Sequence, residues 1–252
     1  MNFNNNQNNI HYGNHNYNSD KYIYQSGTGE LTFKNYITKM FAIVALGIFT
    51  SALIAFLINI NFINIINTFG NSFLYVMYGC GIFQIVVVLY LSYKLSKGVK
   101  FGFALGMFVF YSALTGITLS AITFVYKPSE ILHAFLVTGL FFTALCIIGH
   151  ITNYKLLKFG NMIAFALLFF LIVQIISLFF FPSIARSMLM DFIAIAIFAF
   201  YSVYDFQRVK YMFENSRSKR DLNTAMISGA LSLYLDFINL FIRILSLLSR
   251  EK

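Results

Sequence analysis

Apolar residues in this chain come in long unbroken blocks, separated by short polar stretches. Seven blocks stand out, at 40–58, 73–93, 101–126, 131–149, 161–181, 188–206 and 226–248. Each is long enough to cross roughly 30 Å of hydrocarbon as a helix rising 1.5 Å per residue. The blocks are continuous rather than alternating, which speaks against the strands of a membrane β-barrel. The pattern predicts an all-α integral membrane protein, a seven-transmembrane-helix bundle occupying 34–252. Residues 1–33 are a different material. Positions 2–18 are about half asparagine and too poor in aliphatic residues to fold alone, so 1–33 reads as a disordered, Asn-rich cytoplasmic tail. It has no apolar core of the kind a cleavable signal peptide carries. His11 and His15 inside it read as an incidental pair rather than a metal site.

Composition agrees with the block pattern. Of 252 residues, 59% are hydrophobic and 11% charged, with a mean hydropathy of +0.73. A soluble domain carries about 25% charged residues, so too little charge is present to cover a water-exposed globule. The net charge of +9 would suggest nucleic acid in a soluble protein. Here the basic residues sit in loops, where they orient the chain and meet anionic head groups, and no nucleic-acid partner is expected. Thirteen of them precede span one or lie in the loops after spans two, four and six; only Lys127 and Arg186 occupy the opposite connections. That asymmetry predicts a cytoplasmic N-terminus and a C-terminus on the far side. Arg250 and Lys252 run against it. Cys80 and Cys146 fall in apolar segments and are expected to be reduced packing residues.

Charged side chains inside a span carry the functional signal, because a carboxylate near mid-bilayer costs roughly 2.5–3.5 kcal/mol on insertion scales. Asp205 in span six and Asp236 in span seven lie near the cytoplasmic ends of consecutive helices, at depths about one turn apart. Adjacent antiparallel helices would bring them together. Ser232, Asp236, Asn239, Arg243 and Ser246 recur at spacings of four and three, forming one polar stripe on span seven. Such a stripe is either a hydrogen-bonded seam between helices or the wall of an ion path or proton-sensing site. Two carboxylates in contact cannot easily both ionise, so the pair would share a proton and act as a pH switch.

Other polar residues carry less. Asp191 is placed at the outer interface, where a helix N-terminus favours an anion. Gln84, deep in span two, is either a hydrogen-bond bridge or a pore-lining group. Lys94 can snorkel to the cytoplasmic interface. His133 and His150 flank span four and do not read as ligands. Gly102, Gly106, Ser112, Gly116 and Ser120 suggest a small face on span three for close helix contact. No Ser–His pair in a G-x-S-x-G setting, H-E-x-x-H or phosphate loop occurs, so no enzyme is expected. Span seven has no lysine that could hold retinal.

Three motifs carry a family resemblance, in this order along the chain: Gly116-Ile-Thr-Leu-Ser120, Tyr204-Asp-Phe-Gln-Arg208, and Gly229-Ala-Leu-Ser-Leu-Tyr-Leu-Asp236-Phe-Ile-Asn-Leu-Phe241. They resemble the third-, sixth- and seventh-helix signatures of the Bax inhibitor-1 (transmembrane BAX inhibitor motif) family, including its bacterial calcium-leak members. The likeness runs from about Phe33 to Leu248. It implies six helices around a central C-terminal seventh. It also implies a pH-sensitive calcium leak gated by protonation of an intramembrane dyad, Asp205 and Asp236, with Ca²⁺ as the transported ion, passing near both carboxylates, and no cofactor. Asn239, Gln84, Lys94 and Arg243 are candidate pore or latch residues, the last two as a basic latch for the dyad. Many members carry an acidic residue where Gln84 stands. Expected partners are the lipid bilayer, Ca²⁺ and protons, with a monomer in the bacterial cytoplasmic membrane rather than the endoplasmic reticulum. The competing reading is a non-conducting membrane scaffold that regulates cell death or stress responses through partners.

Overall fold

The computed structural model describes residues 23–26, 29–61, 64, 68, 72–152, 154–180, 187–216 and 218–250. The Asn-rich stretch and the His11/His15 pair lie outside the described residues. Strands β1 (Ile23–Ser26) and β2 (Gly29–Thr32) pair antiparallel from Ile23↔Thr32 to Ser26↔Gly29, inside the segment read as tail. Seven long helices follow: α1 (Phe33–Ile60), α2 (Ser72–Ser96), α3 (Phe101–Leu119), α4 (Pro128–Ile151), α5 (Gly160–Phe180), α6 (Met188–Glu214) and α7 (Lys219–Leu248). A helical turn at Ile122–Val125 prolongs α3, and a 3-10 segment, Tyr154–Phe159, leads into α5.

All seven are long and apolar enough to cross a membrane. Several run past the apolar blocks at one end: α1 begins at Phe33, α6 continues to Glu214 and α7 starts at Lys219. Hydropathy misses these turns because they leave the hydrocarbon while the backbone still winds. Side-chain caps mark where α7 and α6 begin. Ser218 accepts from the Asp221 amide at 3.1 Å, and Ser187 caps α6 through the Met190 amide at 3.3 Å.

α7 is the axis of the bundle. Half of its span is buried, against 39% or less for any other helix, and it packs on α1, α2, α3, α4 and α6. α5 stands outside α6, and Gln174 reaches α7. Outward faces are apolar, with Phe49, Leu89, Leu140 and Phe165 more than 60% exposed, as lipid requires and water forbids.

Close approach replaces the hydrophobic force as the source of packing in lipid. A Cβ on Gly116 would come within 2.6 Å of the Ser51 carbonyl oxygen and 2.7 Å of Ile54, so α3 and α1 touch backbone to backbone there. Gly102 and Gly106, expected on the same contact face, meet nothing within 4 Å. Taken as pairs, they sit on average about 80° around the helix from Ser112 and Gly116 at 100° per residue, and belong to another face. Deep in this contact the Tyr234 hydroxyl of α7 lies 2.6 Å from Ser51 Oγ, which donates to the Ser112 carbonyl at 2.7 Å. A serine has one proton, so Tyr234 is the donor of the shared bond.

Candidate functional site

The antiparallel contact between α6 and α7 keeps a single register over five turns. Gly229 faces Val209, where an added Cβ would come within 2.6 Å of the valine side chain. Ser232 is the polar neighbour of Asp205, and Ser202 that of Asp236. Ser246 donates to Asp191 at 2.8 Å. In each pair the residue numbers add to 437 or 438, which is the signature of two helices running past one another without slippage. The stripe read from α7 is therefore the side of α7 that meets α6, and it carries two separate polar nodes.

The first node lies toward the end where α6 gives way to α7. Asp205 and Asp236 are 3% and 4% exposed, and the charge of Asp205 acts directly on Asp236. No hydrogen bond joins them. They sit diagonally, one helical turn apart along α6, each beside a serine of the opposite helix. Asp205 Oδ1 and Asp236 Oδ2 are buried without a hydrogen-bond partner among the described residues. Ser202 spends its proton on the Phe198 carbonyl at 2.8 Å, so towards Asp236 it can only accept. The guanidinium nearest the pair is Arg208, 3.9 Å from Asp205 Oδ1, at the helix spacing i,i+3 and nearly half exposed. Sequence reading did not single out Ser202 or Arg208 for this role. Their distance of three residues from Asp205 on either side was the available signal.

The second node surrounds Asp191, in the first turn of α6. Its carboxylate is 1% exposed, and it holds Arg243 at 3.3 Å, Arg250 at 3.0 Å and Ser246 at 2.8 Å. With its amide turned so that oxygen faces the guanidinium, Gln174 accepts from Arg243 Nη1 at 2.9 Å. Ser246 lies ten residues beyond Asp236, about 15 Å along the helix. Arg243 is thus claimed by Asp191 and is not a latch on the dyad. The charge of Arg250, which runs against the loop asymmetry, is spent on the same carboxylate.

The remaining candidates lie elsewhere. Lys94 stands over its own helix neighbour Tyr90, 5.5 Å from the ring centroid, with no ion pair to the dyad among the described residues. Asn239 donates to the Leu235 carbonyl of its own helix at 2.8 Å. Gln84 donates to Tyr111 at 3.4 Å, and its Oε1 lies 3.3 Å from Thr118 Oγ1, whose single proton is nearer the Thr115 carbonyl at 2.9 Å; the contact joins α2 to α3. Cys146 is buried, with Asp236 as a charged neighbour, and Cys80 is half-buried; both are free thiols. Among the described residues no group of three or more His, Cys, Asp or Glu could hold a metal.

A bundle of long apolar helices with an apolar exterior defines a multi-pass α-helical membrane protein. The particular family follows from comparison. Residues 33–252 match the family model described as "Inhibitor of apoptosis-promoting Bax1", and the chain belongs to this Bax inhibitor-1 family. It is similar to the inner membrane protein YbhL of Escherichia coli K12, 36% identical over 176 residues, which cover 69% of this chain and 74% of YbhL. An uncharacterized membrane protein of Streptococcus pyogenes serotype M1 is 31% identical over 92% of this chain and 99% of its own length. A protein of Borreliella burgdorferi is 29% identical over 88% and 95%.

Proposed function

We propose that this protein is a pH-sensitive calcium leak channel in which Asp205 and Asp236 are the proton sensor. The observation that carries the reading is a pair of buried carboxylates on the central helix contact, each with one oxygen left without a hydrogen-bond partner among the described residues. A buried acid inside lipid-embedded protein is costly, and ordinary packing supplies no reason to keep two. With one proton between them, one acid is neutral and donates to its serine while the other stays anionic. When that proton leaves, two anions one turn apart repel across a poorly hydrated contact, and α6 and α7 are pushed apart locally. Ca²⁺ is the cargo, drawn by the same oxygen atoms as it passes. The chain acts by transport rather than by catalysis, as a monomer. The loop charges support a cytoplasmic N-terminus, and the likeness to an E. coli inner membrane protein supports a bacterial cytoplasmic membrane.

Flux of Ca²⁺ into dye-loaded liposomes, measured against pH for wild type, Asp205→Asn and Asp236→Asn, tests this. Wild type is expected to leak above empty vesicles with a pH-dependent rate, and each variant to give a flattened profile. Unchanged profiles in both variants refute the sensor. Absence of flux above empty vesicles refutes the channel and favours a non-conducting regulatory protein.

A further inference from the structure

α1 and α4 both pack on α7 but leave a groove of about 560 Å³ between their ends on the side where the chain enters α1. That volume lies within the roughly 300–1,000 Å³ range of small-molecule sites. Its walls are Ile37 and Phe41 of α1 and Ile147 of α4, and Phe206 of α6 and Cys146 form a buried floor. The mouth is different in character. Lys34 and His150 are exposed there, and Lys210 lies close enough to His150 to act on it electrostatically. The His150 ring is held between Phe33, stacked at 5.9 Å, and Phe206, edge-on at 6.0 Å, so its position is fixed by packing.

A void in an apolar slot forfeits its dispersion contacts, and an acyl chain restores them. The basic mouth adds a preference for charge. Among the described residues that line the groove no carboxylate offsets Lys34, and His150 offers a ring N–H to an anion; basic pockets between transmembrane helices take anionic head groups. We propose that this groove is a binding site for one anionic phospholipid, with its phosphate at Lys34 and His150 and one acyl chain along Phe41 and Ile147. The site stands independently of the leak reading, although its floor adjoins the sensor: Phe206 follows Asp205 in the chain, and Cys146 has Asp236 as a neighbour.

The chain contains no tryptophan, so a single Phe41→Trp is the only indole in the protein. Its quenching in vesicles containing brominated phosphatidylglycerol or brominated phosphatidylcholine reads lipid occupancy directly. Phe169→Trp, on the exposed face of α5, serves as the control, and Ile147→Trp replaces Phe41→Trp if that variant folds poorly. The expected result is a preference for phosphatidylglycerol of about fivefold in the groove and near parity at position 169. Adding Lys34→Ala and His150→Ala should bring the groove to parity. Inorganic phosphate in phosphatidylcholine vesicles should leave quenching unchanged. Equal preference at both positions, a preference that survives loss of both basic residues, or an indole shielded from either lipid by a protein segment would each overturn the proposal.

Discussion

Asp191→Ala removes the anion that collects two guanidinium groups and a hydroxyl at the far end of the α6/α7 contact. Taking away one partner of a buried ion pair costs about 3–5 kcal/mol, mostly because the other charge stays behind unpaired. The cations left here are 24% and 33% exposed in their side chains. Both recover some water, which places the loss at the lower limit, about 3 kcal/mol. That is about a hundredfold in the unfolding equilibrium, at 1.4 kcal/mol per factor of ten. A smaller part of the loss comes from the helix itself. Asp191 lies in the first turn of α6, where an anion is worth about 0.3–1 kcal/mol against the macrodipole. Asp191→Asn keeps an oxygen for Ser246 and should cost about 1–2 kcal/mol. Combining Asp191→Ala with Arg243→Met removes both members of the principal pair, so the double variant should cost less than the sum of the two singles by about 0.5–3 kcal/mol. Titration of the detergent-solubilised protein with sodium dodecyl sulfate, followed by far-ultraviolet circular dichroism, measures all four. A loss below about 0.5 kcal/mol for Asp191→Ala, or strict additivity in the double variant, would refute the node as a structural tie.

Two further outcomes follow from the helix contacts. Gly116→Ala should push α3 off α1, because its methyl meets the Ser51 carbonyl oxygen, which cannot rotate away. About 1–3 kcal/mol of overpacking is expected by the same titration, whereas Gly106→Ala, which meets nothing, should be neutral. Tyr234→Phe removes the donor to Ser51 but leaves the serine bonded to the Ser112 carbonyl. It should cost about 0.6–1.7 kcal/mol, the range of interhelical hydrogen bonds in membranes, and leave the pH profile of Ca²⁺ flux unaltered.

The number of helices, their approximate limits and their membrane character followed from the sequence, because hydrocarbon imposes a length and a polarity on each span whatever its neighbours are. The stripe on span seven was legible too, since helical periodicity alone puts Ser232, Asp236, Arg243 and Ser246 on one side. What tertiary structure decided is the partner of each polar atom. Periodicity shows that Arg243 and Asp236 share a face, but the register against α6 gives the arginine to Asp191 and leaves Asp236 beside Ser202. Likewise Gly102 and Gly116 look equivalent as small residues, yet only Gly116 meets another backbone. Local pattern fixes which side of a helix is polar or small; the sliding of one helix along another, set by every contact between them at once, decides which charges meet.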